Sequence, residues 1–382
     1  MDSGIFKNCS LIADSGGFQA SIGKIDEHET ETLIDLYHDF LTNHHQVLDR
    51  AFILDLPPGP GCKLFKNFND VQSFNERTYN LAKNLPKEAR DKIIYINHFR
   101  TPKLWEIYSN ILNQDDMFDS FKHFGTGGVV ANMAGDNMPC IIYILPLIPV
   151  LKKAIEAGRK ELSFHILGGA NFRDIFFYEI FTKVVKEVHG VDLTLSYDSS
   201  GPFKGLMRGR TMHILHKDIV HKVDMRSDYI RQRLHSTYRT IDVVREKINE
   251  MSDQFGFKRI NMSELYDEEL NTFPDYFRIY AVLLTLRTYA EVQLLLRRKA
   301  DEIYPLYQSG DLEEFARQCS FVTQSINGGK LTRKQKTKTN SLINSVKMLV
   351  NLDEEHCKYI VNKYLAKDEF IELDNKTRLM TF

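Results

Sequence analysis

The stretch Leu11-Ile12-Ala13-Asp14-Ser15-Gly16-Gly17-Phe18-Gln19 runs from a short apolar segment straight into two glycines. It predicts a strand that ends in a tight loop. Glycines in such a loop let the backbone turn sharply and come close to a ligand. Asp14, Ser15 and Gln19 add an acid, a hydroxyl and an amide. Taken singly, Asp-Ser-Gly-Gly is ordinary turn chemistry, so its meaning depends on the rest of the chain.

Working outward, the same order recurs. Strand-like Ser10–Ala13 is followed by a helical pattern from about Glu27 to Thr42. Ala51–Leu54 ends at Asp55 and precedes a helix from about Asp70 to Asn84. Lys92–Ile96 ends at Asn97-His98 before a helix from about Pro102 to Leu112. Gly127-Gly128-Val129-Val130 reads as a glycine-led strand, and the helix after it takes in Pro146 and Pro149, which predict a break. Leu162–Leu167 ends at Gly168-Gly169 before a helix from about Phe172 to His189, and Val191–Tyr197 ends at Asp198. Repeated strand–helix units of this size argue for a parallel sheet, either a barrel or a doubly wound sheet. The expectation is an α/β fold of the (β/α)8 TIM-barrel type, with insertions and a helical C-terminal region. Thr211–Leu215 and Lys258–Met262 are the weaker candidates for further strands.

Beyond Asp198 the character changes. Lys204, Arg208, Arg210, His213, His216, Lys217, His221, Lys222, Arg226, Arg231, Arg233, His235 and Arg239 form a basic stretch. A long helical pattern spans about Asp275 to Tyr304, and further helices follow from Leu312, around a basic run that includes Lys334 and Lys336. The expected division is a catalytic domain over 1–310, with a basic insertion at about 204–275, and a helical subdomain over 311–382.

The formal net charge of −1 excludes a globally basic chain, so any nucleic acid has to be held by a local patch. Cys9, Cys62, Cys140, Cys319 and Cys357 are scattered without a CxxC pair, which predicts free thiols in a reducing compartment. The N-terminal residues lack an apolar signal core, and the longest apolar run, Ile141–Leu151, is too short to span a membrane. A cytoplasmic protein without membrane partners is expected. His44-His45 and His213/His216 lack the Cys/His companions of a structural zinc site.

In a parallel α/β architecture, ligands bind at the carboxyl ends of the strands. Those positions hold Asp14-Ser15-Gly16-Gly17, Asp55, Asn97-His98, Gly127-Gly128, Gly168-Gly169 and Asp198. Glycine pairs let a planar group lie on backbone, and carboxylates accept from the N–H groups of a guanine-like base. Two facing carboxylates can also act on a glycosidic bond, one as nucleophile and one as acid/base. Singly, an Asp at a strand end is a helix N-cap and a Gly pair is a turn; together at one end of a sheet they line one polar pocket.

Asp14–Gln19 resembles the DSGG[FY]Q signature of the tRNA-guanine transglycosylases and their DNA-modifying relatives. Tyr197-Asp198-Ser199-Ser200 resembles the segment that carries their nucleophile, Ser73–Lys83 their Ser…Arg-Thr helix, and His165–Asp174 a family strand and loop. The resemblance covers roughly Ser10 to Gly205. It implies that Asp198 is the nucleophile at C1′ and Asp14 the general acid and base. It further implies a base pocket of Ser15, Gly16, Asp55, Asn97, Gly128, Val129 and Gly168, with Asn97 standing where the family usually has Gln. The family works without an organic cofactor, and the incoming base would be a 7-deazaguanine of the preQ0 or preQ1 type.

The chain departs from the family in three ways. Only 13 residues precede the motif, and the expectation is a barrel that is incomplete or closed by another part of the chain. The family's CxCxxC-plus-His zinc motif is absent, with Cys319, His356 and Cys357 the distant candidates. Gly190-Val191-Asp192 lies six residues before Asp198, which makes Asp192 a rival nucleophile at the wrong end of its strand. The short N-terminus, the missing zinc motif and the absence of an obvious added RNA-binding module lean toward the branch that exchanges guanine in DNA, found in phages and bacterial genomic islands, with tRNA as the alternative substrate. Lys204, Arg208, Arg210, Lys334 and Lys336 would then hold phosphates. An inactive partner subunit and a barrel glycoside hydrolase are the other readings. The presence of both Asp14 and Asp198 argues against the first, and a single Trp, Trp105, for sugar stacking argues against the second.

Overall fold

The computed structural model describes residues 10–17, 24, 26–56, 65, 67–99, 101–114, 116–127, 144–169, 172–198, 211–224, 238–255, 275–326 and 333–364. The chain divides into two compact units. Met1–Gly169, Val184–Tyr197 and Asn344–Phe382 form the first, and Ala170–Lys183 with Asp198–Ile343 the second.

The first unit is built on six parallel strands: β1 (Ile12–Ala13), β2 (Arg50–Phe52), β3 (Ile93–Asn97), β4 (His123–Thr126), β5 (Glu161–Ile166) and β6 (Asp192–Tyr197). They lie side by side in chain order, each paired in parallel with the next. A doubly wound sheet reverses its order part-way, so this sheet is singly wound. It also curls. The rings of Phe52 on β2 and His165 on β5 have centroids 5.0 Å apart, although three strand spacings in a flat sheet would separate their backbones by about 14 Å. Gly125 on β4 makes room on that concave face. A Cβ there would lie 2.7 Å from the His165 carbonyl oxygen and 2.8 Å from Ile96 Cδ1.

The fold is thus α/β with a curled, six-stranded parallel sheet, and the expectation of a closed eight-stranded barrel is corrected. Among the described residues no seventh or eighth strand joins the sheet. Thr211–His216 is a strand, β7, but it pairs antiparallel with β8 (Ile219–Asp224) as a separate hairpin in the second unit. Lys217 and Asp218 turn it with positive φ of 50° and 61°, the geometry that a tight hairpin demands. The candidate strand at 258–262 lies outside the described residues. The fourth strand also begins earlier than the glycines suggest, at His123, with Gly127 beyond its end.

The connecting helices are α1 (Glu27–His44), α2 (Phe68–Lys83), α3 (Lys87–Arg90), α4 (Pro102–Leu112), α5 (Met117–Ser120), α6 (Leu147–Glu156) and α7 (Phe172–His189). Local chemistry sets their starts. Asp26 and Asn67 cap α1 and α2, each in a reciprocal bond with the acid three residues on, and Thr101 caps α4 with Pro102 at its first position. Such caps stabilise a helix end by about 1 kcal/mol each. The prolines of α6 do not break it: Pro146 is the cap and Pro149 falls in the first turn, where no intrahelical N–H bond is forfeited.

Helix and sheet meet through aromatic contacts. Tyr79 of α2 stands edge-on to Tyr95 of β3 at 6.1 Å, and Phe118 of α5 packs on Phe124 of β4 at 4.7 Å. All five residues of β3 are buried, as a strand covered on both faces requires. The remaining helices are α8 (Tyr238–Phe255), α9 (Asp275–Gln308), α10 (Leu312–Ile326), α11 (Arg333–Asn351) and α12 (Glu354–Tyr364). In the first unit α12 returns to the sheet's helical layer, where Glu354 pairs with Lys152 of α6 at 3.0 Å. No helix among the described residues is long and apolar enough to cross a membrane.

Candidate functional site

β1 and β2 run in parallel with Ala13 opposite Ala51, so the loops that leave them emerge side by side. Gly16 turns the first loop with φ of +75°, and its N–H donates to Asp14 Oδ1 at 3.3 Å. Gly17 has a different task. Its Cα lies against the backbone of Asp55, where any Cβ would overlap the Asp55 carbonyl oxygen. Ser15 ties the loops together: its Oγ accepts from the Gly17 N–H at 3.3 Å and donates to Asp55 Oδ1 at 3.1 Å.

The other oxygen of Asp55 is held from the next strand. His98 Nε2 lies 2.9 Å from Asp55 Oδ2, with His98 fully buried and Asp55 8% exposed. An ionised carboxylate only accepts, so the ring donates its Nε2–H. The ring stands edge-on to Tyr108 of α4 at 5.7 Å. Its far edge covers Gly127 beyond β4, where a Cβ would lie 2.6 Å from His98 Cε1 and 3.3 Å from Leu167 Cδ1. Residues following five consecutive strands thus meet at the carboxyl end of the sheet.

The order of this chain decides its chemistry. In a nucleophilic triad the imidazole sits between hydroxyl and carboxylate and takes the hydroxyl's proton. Here the carboxylate is in the middle, so Ser15 is not activated by His98. The arrangement instead immobilises Asp55. A carboxylate has about four acceptor sites; Ser15 and His98 occupy two, on different oxygens, and the remainder can read N–H donors of a ligand.

Tyr37 of α1 lies close to both loops. Its buried hydroxyl donates to the Phe52 carbonyl at 2.7 Å. Burial, reinforced by the nearby charges of Asp55 and Asp14, pushes its ionisation far above the usual tyrosine range. Asp14 therefore shares the electrostatic neighbourhood of Asp55 while its side chain is exposed to solvent.

The chain matches no protein-family model, no curated protein and no solved structure with which it was compared. Its functional reading therefore rests on its own residues.

Of the residues expected in a base pocket, Ser15, Gly16 and Asp55 come together, with Asp14 beside them. Asn97 is fully buried and bonds across to β4, from its Nδ2 to the Gly125 carbonyl at 3.3 Å. By strand alternation it shares the face of Tyr95, which packs against α2. Gly168 turns the chain after β5 with φ of +82°. Gly128, Val129, Lys204, Arg208 and Arg210 lie outside the described residues, and Lys334 and Lys336 fall on the first turns of α11. Asp198 follows β6 directly, belongs to the second unit and is exposed. Asp192 is at the opposite end of β6, paired with Lys186 at 2.8 Å. Among the described residues no group of three or more His, Cys, Asp and Glu is placed to hold a metal ion.

Tyr37 had no place in the pattern of strand-end residues, and Gly17 and His98 were placed at strand ends without the contacts they make. His98 was visible at a strand end beside Asn97, but nothing in the sequence pairs it with a residue 43 positions away.

Proposed function

We propose that the chain exchanges guanine in a nucleic acid, DNA in preference to tRNA, for a 7-deazaguanine base through a covalent aspartyl–nucleotide intermediate. The observation that carries this reading is the immobilised Asp55 carboxylate, set between the Asp14–Gly17 loop and Gly127 at the carboxyl end of the sheet. Such a carboxylate presents a fixed acceptor pair to the ring N–H and amino group of a guanine edge. The resemblance of Asp14–Gln19 and Tyr197–Ser200 to the transglycosylases supports this chemistry.

In this reading Asp198 attacks C1′, the C1′–N9 bond breaks, and guanine leaves with the electron pair on N9 and a proton from Asp14. The incoming base then loses its proton to Asp14 and attacks C1′, and the aspartyl bond breaks. Two displacements give net retention. A base within a duplex must first be flipped out, at a cost of about a few kcal/mol. The basic stretches at Lys204–Arg239 and Lys330–Lys338 are the candidate phosphate contacts, and their binding weakens steeply with salt.

The test is exchange of labelled guanine into duplex DNA and into tRNA. Label in DNA supports the proposal, label in tRNA alone moves the substrate to tRNA, and label in neither refutes base exchange.

A further inference from the structure

We infer that His98 is a positioning residue that orients Asp55 for a base carrying adjacent ring N–H and exocyclic amine groups; the inference rests on the base-exchange reading. Asp55 is gripped at both oxygens, by Ser15 Oγ at 3.1 Å and His98 Nε2 at 2.9 Å. Turning the carboxylate plane breaks both bonds. The two donors enter from different strand ends, so the plane of the carboxylate is set by the sheet itself.

The imidazole is not explained by packing alone. Tyr108 touches its edge and Gly127 lies under it, contacts that a phenyl ring could also make. The ring is fully buried, and Nδ1 has no hydrogen-bond partner among the described residues. Burying a polar ring with one nitrogen unsatisfied is unfavourable. The bond from Nε2 to Asp55 is the interaction that offsets it. A carboxylate fixed in this way discriminates by donor count. Guanine and 7-deazaguanine offer two donors to the acceptor pair, and hypoxanthine, without the amine, offers one. Once Asp55 can rotate, the second bond is no longer enforced.

The test compares wild-type protein with His98→Gln and His98→Asn, full-length, using guanine and hypoxanthine as incoming bases. A Gln amide reaches the Nε2 position and keeps the donor; Asn reaches only the Nδ1 position and leaves Asp55 Oδ2 without it. The expected result is a KM for guanine raised roughly tenfold in His98→Asn, the worth of one charge-assisted hydrogen bond. Hypoxanthine KM changes little, kcat is retained, and selectivity is restored in His98→Gln. Equal guanine-over-hypoxanthine selectivity in wild type and His98→Asn overturns the inference while leaving base exchange intact. Wild-type protein that exchanges no guanine overturns the underlying reading instead. Because His98→Asn can fail to fold, the wild-type His98 ring is also followed by nitrogen-edited NMR. Saturating guanine shifts its Nε2–H resonance, and a resonance unmoved by guanine overturns the proposal.

Discussion

Replacing Gly17 by alanine tests whether the first two loops are locked together as described. The new methyl group collides with the Asp55 carbonyl oxygen, a backbone atom without a rotamer to escape into. Restoring contact at about 3.5 Å forces the two loops apart by more than about 1 Å. That displacement breaks the Gly17 N–H bond to Ser15 Oγ, at 3.3 Å, and the Ser15 bond to Asp55, at 3.1 Å. A neutral bond contributes about 1 kcal/mol and one to a charged group about 1.5–3 kcal/mol. The alanine recovers about 0.4–1 kcal/mol by restricting the unfolded chain. The net loss is about 2–3 kcal/mol.

Urea unfolding followed by tryptophan fluorescence measures it, because the single Trp, Trp105, is buried on α4 within the first unit. Gly158→Ala is the control. Its φ is +72° but no atom lies within 4 Å of the added carbon, so it costs only the left-handed strain of about 1–2 kcal/mol. A Gly17→Ala protein within about 0.5 kcal/mol of wild type, the range of ordinary surface changes, refutes the close approach of the loops.

Two further predictions concern titratable groups wholly or partly removed from solvent. Burial, together with the positive charges of Arg50 and Lys122, lowers the His123 pKa from 6.5 to about 4. The unfolded chain binds the extra proton first, so His123 leaves stability intact above pH 6.5 and removes it as pH falls toward 4. Discounted for partial exposure, the loss is of order 1–2 kcal/mol. Urea midpoints measured across that window should fall less steeply in His123→Gln, and an unchanged slope contradicts the assignment. Cys319 and Cys357 are buried, and burial holds the Cys357 thiol well above the usual range. Both should be inert to a thiol-specific reagent in native protein and react in denaturant; rapid native labelling of either would show that the packing around it is wrong.

The alternation of apolar strands and helices made the parallel sheet legible, because each element carries its own period and its own caps. Helices α4 and α7 begin and end where the sequence pattern puts them. Strand count was less legible. Residues 211–216 have strand character, but nothing in them distinguishes a sheet strand from one arm of a hairpin; the turn at Lys217-Asp218 settles that. Gly127 resembled a strand start because Gly-Gly-Val-Val is apolar, whereas its role is to sit beneath His98.

At the site, the loop chemistry of Asp14–Gly17 and the carboxylate at Asp55 could be read from the chain. The bond from His98 to Asp55 could not, since it depends on two strands aligning in register. Pattern also gave no hint that Ser15 spends its hydroxyl on Asp55 rather than on a ligand.

Base exchange through an aspartyl intermediate is tested most directly by trapping that intermediate. Wild-type protein, Asp14→Ala and Asp198→Ala are incubated with end-labelled, guanine-containing duplex DNA, quenched in denaturant and resolved by mass. The wild type should form a covalent protein–DNA species that is absent from Asp198→Ala and that disappears when a 7-deazaguanine base is added. An adduct that persists in Asp198→Ala, or no adduct on either DNA or tRNA in the wild type, contradicts this mechanism.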